Sequence, residues 1–194
     1  MSKLTLKTEG DRHVVVTRRF KASPEAVYRA HVEPKLIQKW MLGPDGWSMP
    51  VCVNDPRPGG KFRYEWTNDK GLGFHITGEF VELVPFSRIV HVERMHLPDP
   101  TPDNHIVTTF EKETFGTLMI MRMTLPDTAS RAAMLATGME HGMEASYVRL
   151  DALVRSYNSC LHLTRIARCL AHHRSSRPRL RRPPLFISPF RAAI

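Results

Sequence analysis

Apolar residues follow two periods in succession along this chain. Up to about residue 125 they alternate or fall in short runs; from about Ala129 they recur every three or four positions. The run Val14-Val15-Val16-Thr17 marks a strand over His13–Phe20, because β-branched side chains fit a pleated surface. Ser23-Pro24 then opens a helix, with Ser23 as N-cap and Pro24 where a missing N–H costs nothing. Ala26, Val27 and Ala30 give that helix an apolar face. Glu33-Pro34 ends it, and a second short helix is expected from Pro34 to about Met41. Gly43-Pro44-Asp45-Gly46 is a turn.

Six stretches of strand character follow, near 48–54, 61–67, 73–83, 88–96, 105–112 and 117–125. Asn68-Asp69-Lys70-Gly71 is a hairpin signal. The segment from Pro98 to Asp103 is expected to be a rigid loop. Phe62, Tyr64 and Trp66 share one face of their strand, with Arg63 and Glu65 on the other. From Ala129 the positions Leu135, Met139, Met143, Tyr147, Leu150 and Val154 form one stripe of a single long helix. Strands joined by short links imply an antiparallel sheet, and the stripe must bury itself against one face of it. The fold class is therefore α+β.

Charge divides the chain unevenly. Of its 28 Lys and Arg, eight lie in residues 158–194, all of them Arg, and none of the 19 acidic residues does. The 20 basic and 19 acidic residues before that point nearly cancel. A domain over 1–157 and a basic extension over 158–194 are expected, the extension disordered or only partly helical. The near-neutral body has no electrostatic footprint for specific nucleic-acid binding. The Arg-rich segment could bind phosphates or anionic lipid by charge alone, and its composition also suits an unselected extension. No apolar run approaches the 18 or more residues of a membrane span, and the first residues lack a signal-peptide pattern. Cys52, Cys160 and Cys169 form no Cys-x-x-Cys and are odd in number, which fits a reduced cytoplasmic protein.

Four motifs then occur in order. They are Arg19-Phe20-x-Ala22-x-Pro24-Glu25-x-Val27-Tyr28-x-Ala30, Trp40-x-x-Gly43-Pro44, Asp55-x-Arg57-x-Gly59-Gly60-x-Phe62-Arg63, and Gly78-Glu79-x-x-Glu82-Leu83-x-Pro85-x-x-Arg88-Ile89-Val90. Over roughly residues 12–155 the chain resembles the SRPBCC superfamily, in the branch similar to the C-terminal domain of the activator of heat-shock-protein-90 ATPase. The resemblance implies a helix-grip fold: a curved antiparallel sheet of six to seven strands around a long C-terminal helix, two short helices after the first strand, and an apolar cavity between sheet and helix. Relatives bind lipids, hormones, polyketides or aromatic compounds, and some act as cyclases or co-chaperones. Where the family often has Gly-Trp, this chain has Gly142-Met143, and residues 158–194 match nothing in it.

No nucleophile–base arrangement, phosphate loop or zinc motif is present, so no catalytic residue, metal or cofactor is assigned. Gly59-Gly60 precedes a strand and reads as a tight turn. His91-Val92-Glu93, with His96 nearby, could hold a metal, but such residues on a half-exposed strand are more often solvated. Trp40, Trp66, His75, Met139, Met143 and Tyr147 are the candidates for lining a cavity, each equally able to be plain core. The ten methionines favour an adaptable pocket. A buried charge is expected only as an Arg–Glu pair. The function expected is binding of a small apolar or aromatic ligand without catalysis. The alternatives are a co-chaperone module for heat shock protein 90 and a polyketide cyclase-like or hydrolase-like enzyme. The last needs His75, Glu79 or Glu93 to face inward with a partner in reach.

Overall fold

The computed structural model describes residues 3–97 and 99–156. These fall in one compact unit, Met1–Cys160; the expected extension over 158–194 lies outside the described residues. The chain runs β1 (Thr5–Glu9), β2 (His13–Phe20), α1 (Pro24–Val32), α2 (Pro34–Trp40), β3 (Trp47–Asn54), β4 (Lys61–Asn68), β5 (Gly73–Val84), β6 (Arg88–Leu97), β7 (Asp99–Pro100), β8 (Asn104–Glu113), β9 (Gly116–Thr124) and α3 (Thr128–Ala136). Residues 139–156 form a further helix, α4.

The α+β, antiparallel architecture matches expectation, with two helices after the β2 strand as read. Ser23 caps α1 by accepting a hydrogen bond from the Ala26 N–H at 3.3 Å, and Glu33 separates α1 from α2, which Pro34 opens. The sheet is larger than the six to seven strands expected. Its order is β1-β2-β9-β8-β6-β5-β4-β3, with β7 paired to β6. β1 escaped the pattern because it holds a single large apolar residue, Leu6, opposite Val16 of β2. β7 is two residues of the loop expected to be irregular, held by the pairs His96–Pro100 and Leu97–Asp99.

The expected single helix from Ala129 is two helices. Gly138 adopts φ +71°, a left-handed conformation that ends α3. Its N–H donates to the Leu135 carbonyl, and α4 begins directly after. The stripe continues across the break, which is why spacing alone concealed it.

One face of the sheet, the inner face, carries the core. Phe62, Tyr64 and Trp66 of β4 are buried there, as are Val14, Val16 and Phe20 of β2 and Met119 and Met123 of β9. Tyr147, Leu150 and Val154 of α4 press onto it, none more than 2% exposed. Burying each large side chain contributes about 1.5–3 kcal/mol. Gly78 of β5 lies opposite Phe62, and a Cβ there would sit 2.2 Å from the Phe62 ring. The glycine thus lets that ring lie across the sheet. No described helix is long and apolar enough to cross a membrane.

Candidate ligand site

Strand register places a set of polar side chains among the inner-face aromatics. His91 pairs across β5–β6 with Phe80, and its ring meets Phe62 edge-on at 5.3 Å. Two residues on, Glu93 faces the same way, its carboxylate 3.4 Å from His91 Nε2. Asn104 of β8 lies opposite Glu93 and is 4% exposed. On α1, His31 lies against Trp40 and Phe110, with ring centroids 4.9 and 5.1 Å away. Tyr64 donates from its hydroxyl to Asn54, which donates in turn to the Val32 carbonyl. Burial pushes the Tyr64 phenol up from its usual range, and the nearby Cys52 and Glu93 add to the effect.

The protonation of His31 follows from geometry. Its Nδ1 is 2.7 Å from the Val27 carbonyl oxygen, which can only accept, so Nδ1 carries the hydrogen. Burial lowers the imidazole to about 4, with the Val27 bond raising it in part and His91 lowering it further. His31 is therefore neutral near pH 7, with a lone pair on Nε2. That atom is shut off from solvent and has no hydrogen-bond partner among the described residues, as is true of His91 Nδ1 and of both amide atoms of Asn104. Four such orphans in one region are unusual, since each costs about 1–3 kcal/mol unless something satisfies it.

A second polar feature, further along the same face, is engaged only in part, since Arg18 Nε and Nη2 are buried without a hydrogen-bond partner among the described residues. Arg18, 1% exposed, donates to Glu144 of α4 at 2.5 Å and lies over the rings of Phe20 and Tyr147. Glu144 also accepts from the Leu4 N–H. This is the Arg–Glu form expected for a buried charge. Arg63 and Glu65 lie on the outer face and bond each other.

The six residues expected to line a cavity are placed differently from one another. Trp40 and Trp66 are buried, and each indole N–H is taken up by a carbonyl, Ala30 and Met41 respectively. Tyr147 is buried between Phe20 and Trp40. Met139 and Met143 are half-buried against the core. His75 belongs to the outer face, because it alternates with Phe74 and Ile76; its ring stacks on His96 at 4.1 Å. Glu79 is exposed in the same phase, whereas Glu93 faces inward. His91, Asn104 and His31 were not singled out as ligand-facing. On β6 the β-branched Val90 and Val92 suggest the opposite phase, so His91 and Glu93 read as the solvent side. Isolated polar residues such as Asn104 and His31 carry no pattern of their own.

No cluster of three or more metal-ligating side chains occurs among the described residues. A groove of about 520 Å³ lies over β5 and β6, lined mainly by outer-phase residues such as Lys61, Thr77, Glu79, Arg94 and His96 and reaching Glu93. Its charged, open lining differs from the apolar cavity expected.

Residues 21–155 match the family described as Activator of Hsp90 ATPase homolog 1-like protein. None of the curated proteins matches. Among solved structures, a protein from Rhodobacter sphaeroides is similar with a TM-score of 0.75 and 26% identity, over 79% of this chain and 99% of that one. A protein from Chromobacterium violaceum gives a TM-score of 0.63 at 28% identity, over 73% of this chain and 96% of its own. An AHSA1-like protein from Aeromonas hydrophila is 20% identical, with a TM-score of 0.60 over 73% of this chain and 93% of its own, and shares the fold.

Proposed function

This chain belongs to the Activator of Hsp90 ATPase homolog 1-like family, and within it we propose that the chain is a cytoplasmic binding protein for a small apolar or aromatic compound held on the inner face. The observation that carries this reading is the set of buried, unpartnered polar atoms on His31, His91 and Asn104, with His91 beside the rings of Phe62 and Phe80 and His31 beside those of Trp40 and Phe110. An aromatic wall with a few convergent polar groups is what a small-molecule site requires. The half-buried Met139 and Met143 add side chains able to repack around a guest. Native mass spectrometry of the purified full-length chain is the test. A co-purified small molecule, displaced by mild denaturation, is expected. Its absence, together with failure to bind any aromatic probe, would overturn the reading.

The family description favours a second reading, a module that interacts with heat shock protein 90 through its outer surface. Calorimetric titration against the chaperone's middle domain tests it, and absence of heat would remove it. An acid–base role is supported by one observation, the inward Glu93 beside His91. Loss of a turnover activity in Glu93→Gln, with binding retained, would be its signature.

A further inference from the structure

We propose that the groove over β5 and β6 is a hydrolytic site, in which Thr77 is the nucleophile and His96 its base, acting on a carboxylic ester with a small apolar acyl group. This does not rest on the binding reading above. The two residues are 19 positions apart, so no local motif joins them, and the β5–β6 register brings them together. His75 is the direct partner of His96 and Thr77 that of Arg94, which makes His96 the diagonal neighbour of Thr77 on one face. The Thr77 hydroxyl oxygen is 3.0 Å from His96 Nε2, within the reach of a nucleophile–base pair. With its hydrogen on Nδ1, the imidazole leaves Nε2 to accept from that hydroxyl. Both partners are held in place. A β-branched side chain has few χ1 states, and the His96 ring stacks on His75 with planes 10° apart.

Thr77 and His96 both line the groove of about 520 Å³, a size that suits a small ligand. Val81 and Val92 supply its apolar part. Val81 is 54% exposed, because it is the extra residue of the bulge between Phe80 and Glu82, and bulges re-aim side chains in this way. Thr77 has a cation as its direct cross-strand partner on either side, Arg63 on β4 and Arg94 on β6. Each is exposed and paired with a carboxylate, Glu65 and Asp103 respectively. Exposed pairs of this kind contribute little to stability, so either guanidinium can turn to a negative charge developing beside Thr77.

The chemistry balances with water alone. The Thr77 oxygen attacks the ester carbonyl carbon, and its proton passes to His96 Nε2. The bond from that carbon to the alcohol oxygen breaks as His96 returns the proton to the leaving oxygen. The alcohol departs and the acyl group stays on Thr77. Water then attacks the same carbon, giving a proton to His96. The carboxylic acid leaves as that proton returns to the Thr77 oxygen. Nothing is oxidised or reduced.

The experiment uses the full-length chain and p-nitrophenyl butyrate, with free imidazole at the same concentration as the reference. The chain is expected to release p-nitrophenol well above that reference. Thr77→Val, which keeps the shape and removes the hydroxyl, and His96→Phe should each bring the rate down to it, a loss of roughly a hundredfold. Thr77→Ser, which keeps the hydroxyl, should retain most of the activity. Peptides from chain quenched during turnover should carry the butyryl group on Thr77. A wild-type rate no higher than that of imidazole overturns the proposal. So does Thr77→Val hydrolysing as fast as the wild-type chain, since an exposed imidazole would then be the sole agent, and so does a butyryl group found only on other residues. The wild-type rate and the site of acylation decide the matter even if a variant fails to fold.

Discussion

The two ends of the inner face are built from similar residues and engage their polar atoms to different degrees. Around α1 and α2, Trp40, Phe20 and Tyr147 interlock, the indole N–H of Trp40 reaches Ala30, and Arg18 meets Glu144. Around β6 and β8, Phe62 and Phe80 stand beside His91, and His91 Nδ1 and the amide of Asn104 lack partners among the described residues. The first end is mostly closed as a protein core, although Arg18 Nε and Nη2 and His31 Nε2 stay unpartnered among the described residues. The second is complete only with something bound or with ordered water.

That difference can be broken by mutation. Trp40→Ala removes a side chain that is 2% exposed and bonded to Ala30, and a loss of about 3–5 kcal/mol is expected in denaturant unfolding. Asn104→Leu, of similar volume, should change the stability of the ligand-free chain by less than about 1 kcal/mol, since it removes orphans rather than bonds. If Asn104→Leu proved as damaging as Trp40→Ala, the two ends would not differ in kind.

Acid titration probes the first end through His31 of α1, whose ring lies against Trp40 and Phe110. Its folded value is about 4 against an ordinary 6.5, so the unfolded chain binds the extra proton first. Stability should therefore be fully present above pH 6.5 and fall as the pH drops towards 4, by about 3 kcal/mol in all. Melting scans across that range check it. His31→Phe should flatten the slope, and an unchanged slope would show that another group titrates there.

The smallest effect expected is at the far end of the chain. Truncation after residue 157 removes eight Arg and no residue of the α4 stripe, whose last member is Val154. Side-by-side thermal melts should nearly coincide. A drop beyond roughly 8 °C, about 2 kcal/mol or more for a chain of this size, would show that this segment contributes to the fold. Any affinity for heparin should disappear with it.

The core was more legible in the sequence than the site. Phe62, Tyr64 and Trp66 announced their face by strict alternation, and Ser23-Pro24 announced a helix start that the structure reproduces. α4 presents Tyr147, Leu150 and Val154 as the spacing of apolar residues required. Alternation failed where both faces of a strand carry apolar residues. On β6, Ile89 and Val90 are both buried, and the register shifts between Phe80 and Glu82 of the neighbouring β5. The phase of His91 and Glu93 could not be read through that. Gly138 was hidden because apolar spacing survives a one-residue change of backbone conformation. A binding residue is defined by what it lacks in the fold, and that deficit arises only when several distant segments meet.

The open order of the sheet has a consequence for how such molecules coexist at high concentration. Its two outermost strands, β1 and β3, are edges that another chain could extend. β3 carries Pro50, which has no N–H to offer, within a register irregularity between Ser48 and Val51. β1 presents exposed Lys7 and Glu9, charges that an incoming strand would have to accommodate. Both rims thus resist edge-to-edge polymerisation, and the sheet stays open without becoming a template for aggregation.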